Sequence, residues 1–508
     1  MNAKDPENKP LKNHFTIFVY PFIHHFGEII ATAQQLTLYK RWSPWICRLP
    51  TSEALEAAFD DSYFFLPAPR QLLFPDFSGI PNSPESETIL AGLLKTCEKP
   101  GSKTTVPKAD ISLHDDLSFH LTLRQQETDM IRSFTLNVAQ KNYLEQGKIE
   151  WVDLFLFTQR IGFLAIMIEI TKEALSIADL INFNSYFRSV IRPSRDIEVG
   201  QLSVNKRKEI DSNEKLVEYL LDGLVAKSGK DYLASSEGQV YGERFNTYSY
   251  ACMDATTDLE LFQKQDPPFQ TVLDRILYEY ATSSPWRSSV TKNGTLVPSQ
   301  RFVRDLFSKY EFSLWQSWTG MFLRDAAVFL SIIPNKFTLE ALRHNIQSDY
   351  FNLYMFSLYQ KFRLYGFAKE LVREDDNPRK TLKSTRNLLD QFVAFRNRFW
   401  VSEVTKKPQG HEMYHKYRKG LATEELFEAV HGEIDDLSAY YETRISRSTN
   451  MVLNFLTFVA TPLATITGLF LLTKPETKTN WSAFIVILAG VYALFILGSV
   501  AWRSILKQ

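Results

Sequence analysis

Five consecutive residues, His411-Glu412-Met413-Tyr414-His415, match the pattern HExxH. On a helix the two imidazoles share a face, which suits a zinc ion, and Glu412 is placed to act as its general base. A third ligand would come from Glu428, His431 or Glu433. Lys407, Pro408, Gln409 and Gly410 come directly before, so the motif opens a helix instead of lying inside one. A zinc metalloprotease thus stands as an alternative to a non-enzymatic chain that requires no cofactor. A second group, Arg188, Arg192 and Arg195, lies on YFRSVIRPSRD beside Tyr186 and Phe187. Arginine grips phosphate with two parallel hydrogen bonds and stacks on bases, so this is a candidate anion site; solvated arginines at a helix end are the other reading. A third group, Glu433, Asp435 and Asp436, lies near one level of a helix and reads as an ordinary acidic surface. Cys47, Cys97 and Cys252 are far apart and form no CxxC pair, so they read as three reduced thiols. There is no phosphate-binding glycine loop and no GxSxG.

These groups need elements to hold them. The chain has 508 residues, with 58 basic and 58 acidic side chains. Without a basic excess, direct nucleic-acid binding is not expected. Hydrophobic residues at 44% and charged residues at 23% indicate packed globular cores and exclude wholesale disorder. The opening MNAKDPENKPLKNHF has no apolar run, so no cleaved export signal is read there. Residues 1–170 read as a mixed α/β domain, with strand composition at 14–20, 118–124, 133–138, 149–157 and 161–170. The last two flank Thr158-Gln159-Arg160 as a hairpin or as neighbouring buried strands. Residues 171–400 read as helical, with apolar spacing over 173–191, 256–283, 299–332, 337–373 and 378–400.

Residues 401–450 read as a stalk. From about Ala422 a helix runs on without proline, and Leu426, Val430, Ile434, Leu437, Tyr441, Ile445 and Ser448 are spaced 4, 4, 3, 4, 4 and 3. That eleven-residue repeat predicts a straight or slightly right-handed stripe. Residues 451–472 and 481–502 are two uncharged runs of 22 residues, each long enough to cross roughly 30 Å of hydrocarbon. The eight residues between them, 473–480, permit only an antiparallel hairpin, and 503–508 form a basic tail. With no export signal, both termini are expected in the cytoplasm of a multi-pass protein of the cell membrane. Residues 451–508 carry four basic groups against Glu476, which leaves the preceding part at a net −3. In the first run Asn450, Asn454, Thr457, Thr461, Ala464 and Gly468 fall within about 80° of one another on a helix. Such a polar stripe should face protein or water, not lipid.

This order of elements, with Asn450, Leu456-Thr457, Pro462-Leu463 and Gly468 at their intervals, resembles the CorA family of divalent-cation channels. The resemblance covers residues 412–508 and implies a homopentamer in a lipid bilayer, with the first runs around a pore and with Glu433, Asp435 and Asp436 binding a regulatory Mg²⁺ between neighbouring subunits. Asn450 would ring its inner mouth, and Leu453 and Leu456 would form constrictions that gate by dewetting. The family's Gly-Met-Asn is absent; Leu471, Leu472 and Thr473 stand there, so Mg²⁺ selectivity is not expected although a divalent cation remains the transported or regulatory ion. Some CorA-like proteins with enlarged cytoplasmic domains are linked to antiviral CRISPR signalling. That implies, as an alternative, an effector channel opened by a nucleotide second messenger. The expected fold is an α+β cytoplasmic domain, a long stalk helix and two C-terminal transmembrane helices, mainly α overall.

Overall fold

The computed structural model describes residues 9–24, 41–49, 51–77, 80, 118–139, 143–157, 161–190, 200–222, 244–254, 259–283, 298–372, 378–455 and 457. Its strands are β1 (Leu11–Ile23), β2 (Trp42–Pro44), β3 (Ser118–Leu123), β4 (Ser133–Val138), β5 (Tyr143–Phe157) and β6 (Ile161–Ile170), followed by β7 (Gln201–Val204), β8 (Asn246–Met253), β9 (Glu311–Phe312), β10 (Trp318–Leu323) and β11 (Ala326–Ser331). The helices that matter below are α1 (Ser52–Ser62), α2 (Pro67–Leu73), α3 (Gln125–Ile131), α4 (Ile177–Phe187), α5 (Asn213–Leu221), α6 (Leu259–Gln263), α7 (Val272–Thr282) and α8 (Gln300–Tyr310). They continue with α9 (Leu342–Gln347), α10 (Asp349–Val372), α11 (Pro378–Arg398), α12 (Pro408–Gly420) and α13 (Thr423–Phe455).

The strands join in one 11-stranded mixed sheet, ordered β2-β3-β5-β6-β1-β8-β11-β10-β9, with β4 pairing both β5 and β7. β5 and β6 form the expected antiparallel hairpin, with Leu156 opposite Gly162. β8 and β11 pair in parallel. The central strands read as nearly unbroken apolar runs because both sheet faces are covered. Phe18 on one face meets the rings of Phe183 and Phe187 on α4. On the other face Phe163 meets Phe362 and Phe157 meets Tyr359, both on α10. Local signals start the covering helices: Ser176 with Asp179, and Thr271 with Asp274, form capping boxes at α4 and α7.

Several expectations are corrected. The sheet does not end near residue 170: β8 sits at its centre, and β10 and β11 occupy a stretch read as helical. TYSYACM and AAVFLS lack clear alternation because they too are buried on both faces. The fold is therefore organised by a large sheet and is not a mainly α chain with a small α/β part. The two C-terminal transmembrane helices, and with them the channel in the cell membrane with both termini cytoplasmic, are corrected as well. Among the described residues no helix is long and apolar enough to cross a membrane. The reason is visible in the longest two: α10 carries Lys361, Arg363, Lys369 and Glu370 and gives its apolar surface to the sheet, and α13 is acidic over much of its length. Residues 458–508, which hold most of the first uncharged run and all of the second, lie outside the described residues. Cys47 is disulfide-bonded and Cys252 is a free buried thiol, which corrects the reading of three reduced thiols.

Residues up to His431 form one compact unit, and Gly432 opens a second, of which the remainder of α13 and Thr457 are described. α13 begins at Thr423, one residue after the helix start expected at about Ala422.

Candidate functional site

The stretch SYFFLPAPRQLLFPDF places three aromatic residues before a proline-started helix that carries an arginine. Thr51 caps α1 by accepting from the Ala54 N–H, and Pro67 starts α2 after an extended Leu66. The connection between these helices pairs with residues 404–405: Phe65 bridges Thr405, and the Leu66 N–H donates to the Val404 carbonyl at 2.8 Å. Together they frame a cleft of about 350 Å³ whose wall includes Tyr63, Phe65, Phe74, Phe77, Arg70 and Lys406.

Arg70 is the focus of this cleft. Its guanidinium carbon lies 3.5 Å from the centre of the Tyr63 ring, and its Nε donates to Ser62 Oγ at 2.9 Å. Its Nη2 is buried with no hydrogen-bond partner, so the group retains an unused donor. Flat rings, one oriented guanidinium and the exposed ammonium of Lys406 suit a ligand with a planar aromatic part and an anionic part. In the turn beside Phe74 and Phe77, burial pushes the Asp76 carboxyl up to about 7.

The sequence-predicted groups are placed elsewhere. Arg188 ends α4, where its carbonyl accepts from Phe245 N at 2.8 Å. Burial first, and then Arg244, push its guanidinium below the ordinary range. Arg192 and Arg195 lie outside the described residues. Glu433, Asp435 and Asp436 are exposed on α13. Among the described residues no group of three or more His, Cys, Asp or Glu is arranged to hold a metal. Asn450, Leu453 and Asn454 are exposed on α13, and Thr457 is exposed and donates to the Leu453 carbonyl at 2.8 Å. Leu456, Thr461, Ala464 and Gly468 lie outside the described residues.

HExxH sits on α12, with Pro408 at its first turn as expected. His411 and His415 share a face, their Nε2 atoms 3.1 Å apart. Burial, then the His411 ring and Arg418, lower the His415 pKa. His431 stands instead with Phe392, Phe427 and Arg396.

One constellation that resembles catalytic machinery was not anticipated. Asp153 accepts from Arg48 Nη1 at 2.9 Å on each oxygen and lies 3.1 Å from His120 Nε2. His120 is stacked between Trp45 and Phe155, at 5.0 and 4.0 Å between ring centres. Burial pushes the Asp153 carboxyl up, but Arg48 and His120 outweigh it and hold the group below its usual range. Burial lowers the His120 pKa despite Asp153. Both side chains are buried, so this is a paired core charge with no open face for substrate. The Tyr63–Arg70 cleft was also missed; the aromatic run followed by Pro and Arg was its available signal.

No protein-family model and no curated protein matches the chain. A search of solved structures finds a likeness to the full-length CmaX protein, at 12% identity, over 51% of this chain and 89% of that one, with a TM-score of 0.16. A likeness of that size carries no argument about fold or activity.

Proposed function

We propose that this chain is a ligand-responsive sensor protein. In this reading the α/β unit is the sensor, and a nucleotide-like ligand in the Tyr63–Arg70 cleft sets its state. The observation that carries the reading is the pairing of Phe65 with Thr405, which makes one wall of the cleft continuous with the segment leading to α12. A ligand drawn in by Arg70 and Lys406 would press on residues 404–407. α12 follows at once, and only Leu421 and Ala422 separate it from α13. A homopentamer, with a divalent cation such as Mg²⁺ as regulatory ion, belongs to the same proposal.

The test has two stages. Purified full-length protein is titrated with adenine and guanine nucleotides, linear and cyclic, beside the Arg70→Ala variant. Binding that weakens roughly tenfold or more in the variant is expected. Amide hydrogen exchange over residues 404–420 is then compared with and without that nucleotide. Absence of binding removes the sensor role; binding without a change in exchange there removes the coupling to α12 and leaves only a ligand site.

A further inference from the structure

We infer that His411 and His415 form a two-histidine binding site for a first-row transition-metal ion, independent of any protease activity. An imidazole nitrogen coordinates such ions at about 2.0–2.1 Å. Two ligands at that length are about 2.9 Å apart when they subtend a right angle and about 3.3 Å apart in a tetrahedron. The observed Nε2 separation of 3.1 Å falls between these values. Both rings are half-buried, so an ion between them keeps access to water for its other positions.

The pair is also held in place. Met413, Tyr414 and Tyr417 on the same helix are buried. The Tyr414 hydroxyl accepts from Gln360 Nε2 at 2.7 Å, and the Tyr417 hydroxyl donates to the Tyr350 carbonyl at 3.3 Å. These anchors fix the rotation of α12 and therefore the outward face that carries both histidines. A site built on a fixed helix loses little entropy when it binds. The surrounding charges are mixed. Glu412 and Glu424 favour a cation, while Arg418 opposes it. Arg418 is itself engaged, 3.9 Å from the Trp400 ring centre and 3.5 Å from Glu424. With two protein ligands and open positions, the site suits ions that prefer imidazole, namely Ni²⁺, Cu²⁺ and Zn²⁺, over Mg²⁺. A bound ion would clip the turn between residues 411 and 415, just before the junction with α13.

The experiment uses full-length protein without a histidine tag, stripped with chelator. Thermal unfolding is followed with Ni²⁺ or Mg²⁺ added, for the wild type, His411→Ala, His415→Ala and His415→Gln. Cu²⁺ electron paramagnetic resonance is recorded in parallel. A rise in Tm with Ni²⁺ alone, lost in each variant that keeps the metal-free Tm, is expected. So is a Cu²⁺ spectrum with coupling to two nitrogens. A Ni²⁺ effect retained in the variants, or a Cu²⁺ spectrum unchanged by them, overturns the site and shows that the two rings only share a proton.

Discussion

Gly420 and Gly432 stand twelve positions apart on either side of the division between the two units. A Cβ on Gly420 would lie 2.4 Å from the Phe322 carbonyl oxygen, whereas a Cβ on Gly432 would meet nothing within 4 Å. The same residue type thus marks a backbone-to-backbone contact in one region and an open helix surface in the other. Buried side chains follow the same contrast. The first unit encloses Asp153 with two partners, while Glu433, Asp435 and Asp436 on α13 stay exposed. In the first unit small changes must be felt, because close-packed neighbours cannot move apart cheaply. α13 buries Phe427, Val430 and Ile434, while its carboxylates at 433, 435 and 436 stay in solvent.

Five substitutions sharpen or break this contrast. Asp153→Ala should be the most damaging, since it leaves Arg48 and His120 without their carboxylate; a loss of about 3 kcal/mol in denaturant unfolding is expected. A cost below that of Glu433→Gln would sink the account of a paired core charge.

Asp349 tests the same unit through pH. Burial first, and then Asp61, raise its carboxyl from 3.8 to about 7, against smaller pulls from Lys407 and His344. The folded chain therefore holds this proton more tightly than the unfolded chain. Its contribution is fully present below about pH 4, falls as the pH climbs towards 7 and is flat above that. Asp76 acts in the same direction. Asp349→Asn should remove on the order of 2 kcal/mol of this decline, read from unfolding curves between pH 4 and pH 8. An unchanged pH profile would show that the carboxyl titrates normally.

Gly420→Ala should cost about 2 kcal/mol by forcing α12 away from β10. Gly432→Ala should do the opposite and gain up to about 1 kcal/mol of helix stability, because alanine is the better helix former and has room there. If the two changes had equal effects, the comparison between the regions would fail. Ala422, between α12 and α13, has a φ of 55°, in the left-handed region. Ala422→Gly there should be neutral or gain up to about 1 kcal/mol, visible as a small rise in Tm.

Much of the architecture was legible without coordinates. β1, β3, β4, β5 and β6 fall where strand composition marked them, and the helix expected from about Ala422 starts at Thr423. The HExxH pair shares a helix face as its spacing requires. β8, β10 and β11 were hidden because a strand buried on both faces has no alternating pattern to betray it. The cleft was hidden for another reason: Arg70 and Lys406 are more than three hundred positions apart, and only the Phe65–Thr405 pairing brings them to one wall.

What the residues determined alone is local. Caps at Ser176 and Thr271, the proline starts at Pro67 and Pro408, the hairpin between β5 and β6 and the i,i+4 histidines all follow from contacts within a few positions. The sheet order, the burial of Asp153 against Arg48 and the raised pKa of Asp349 were decided only by tertiary structure. Each depends on which distant segments exclude water together, and exclusion of water, not residue type, sets the cost of a charge and the company it must keep.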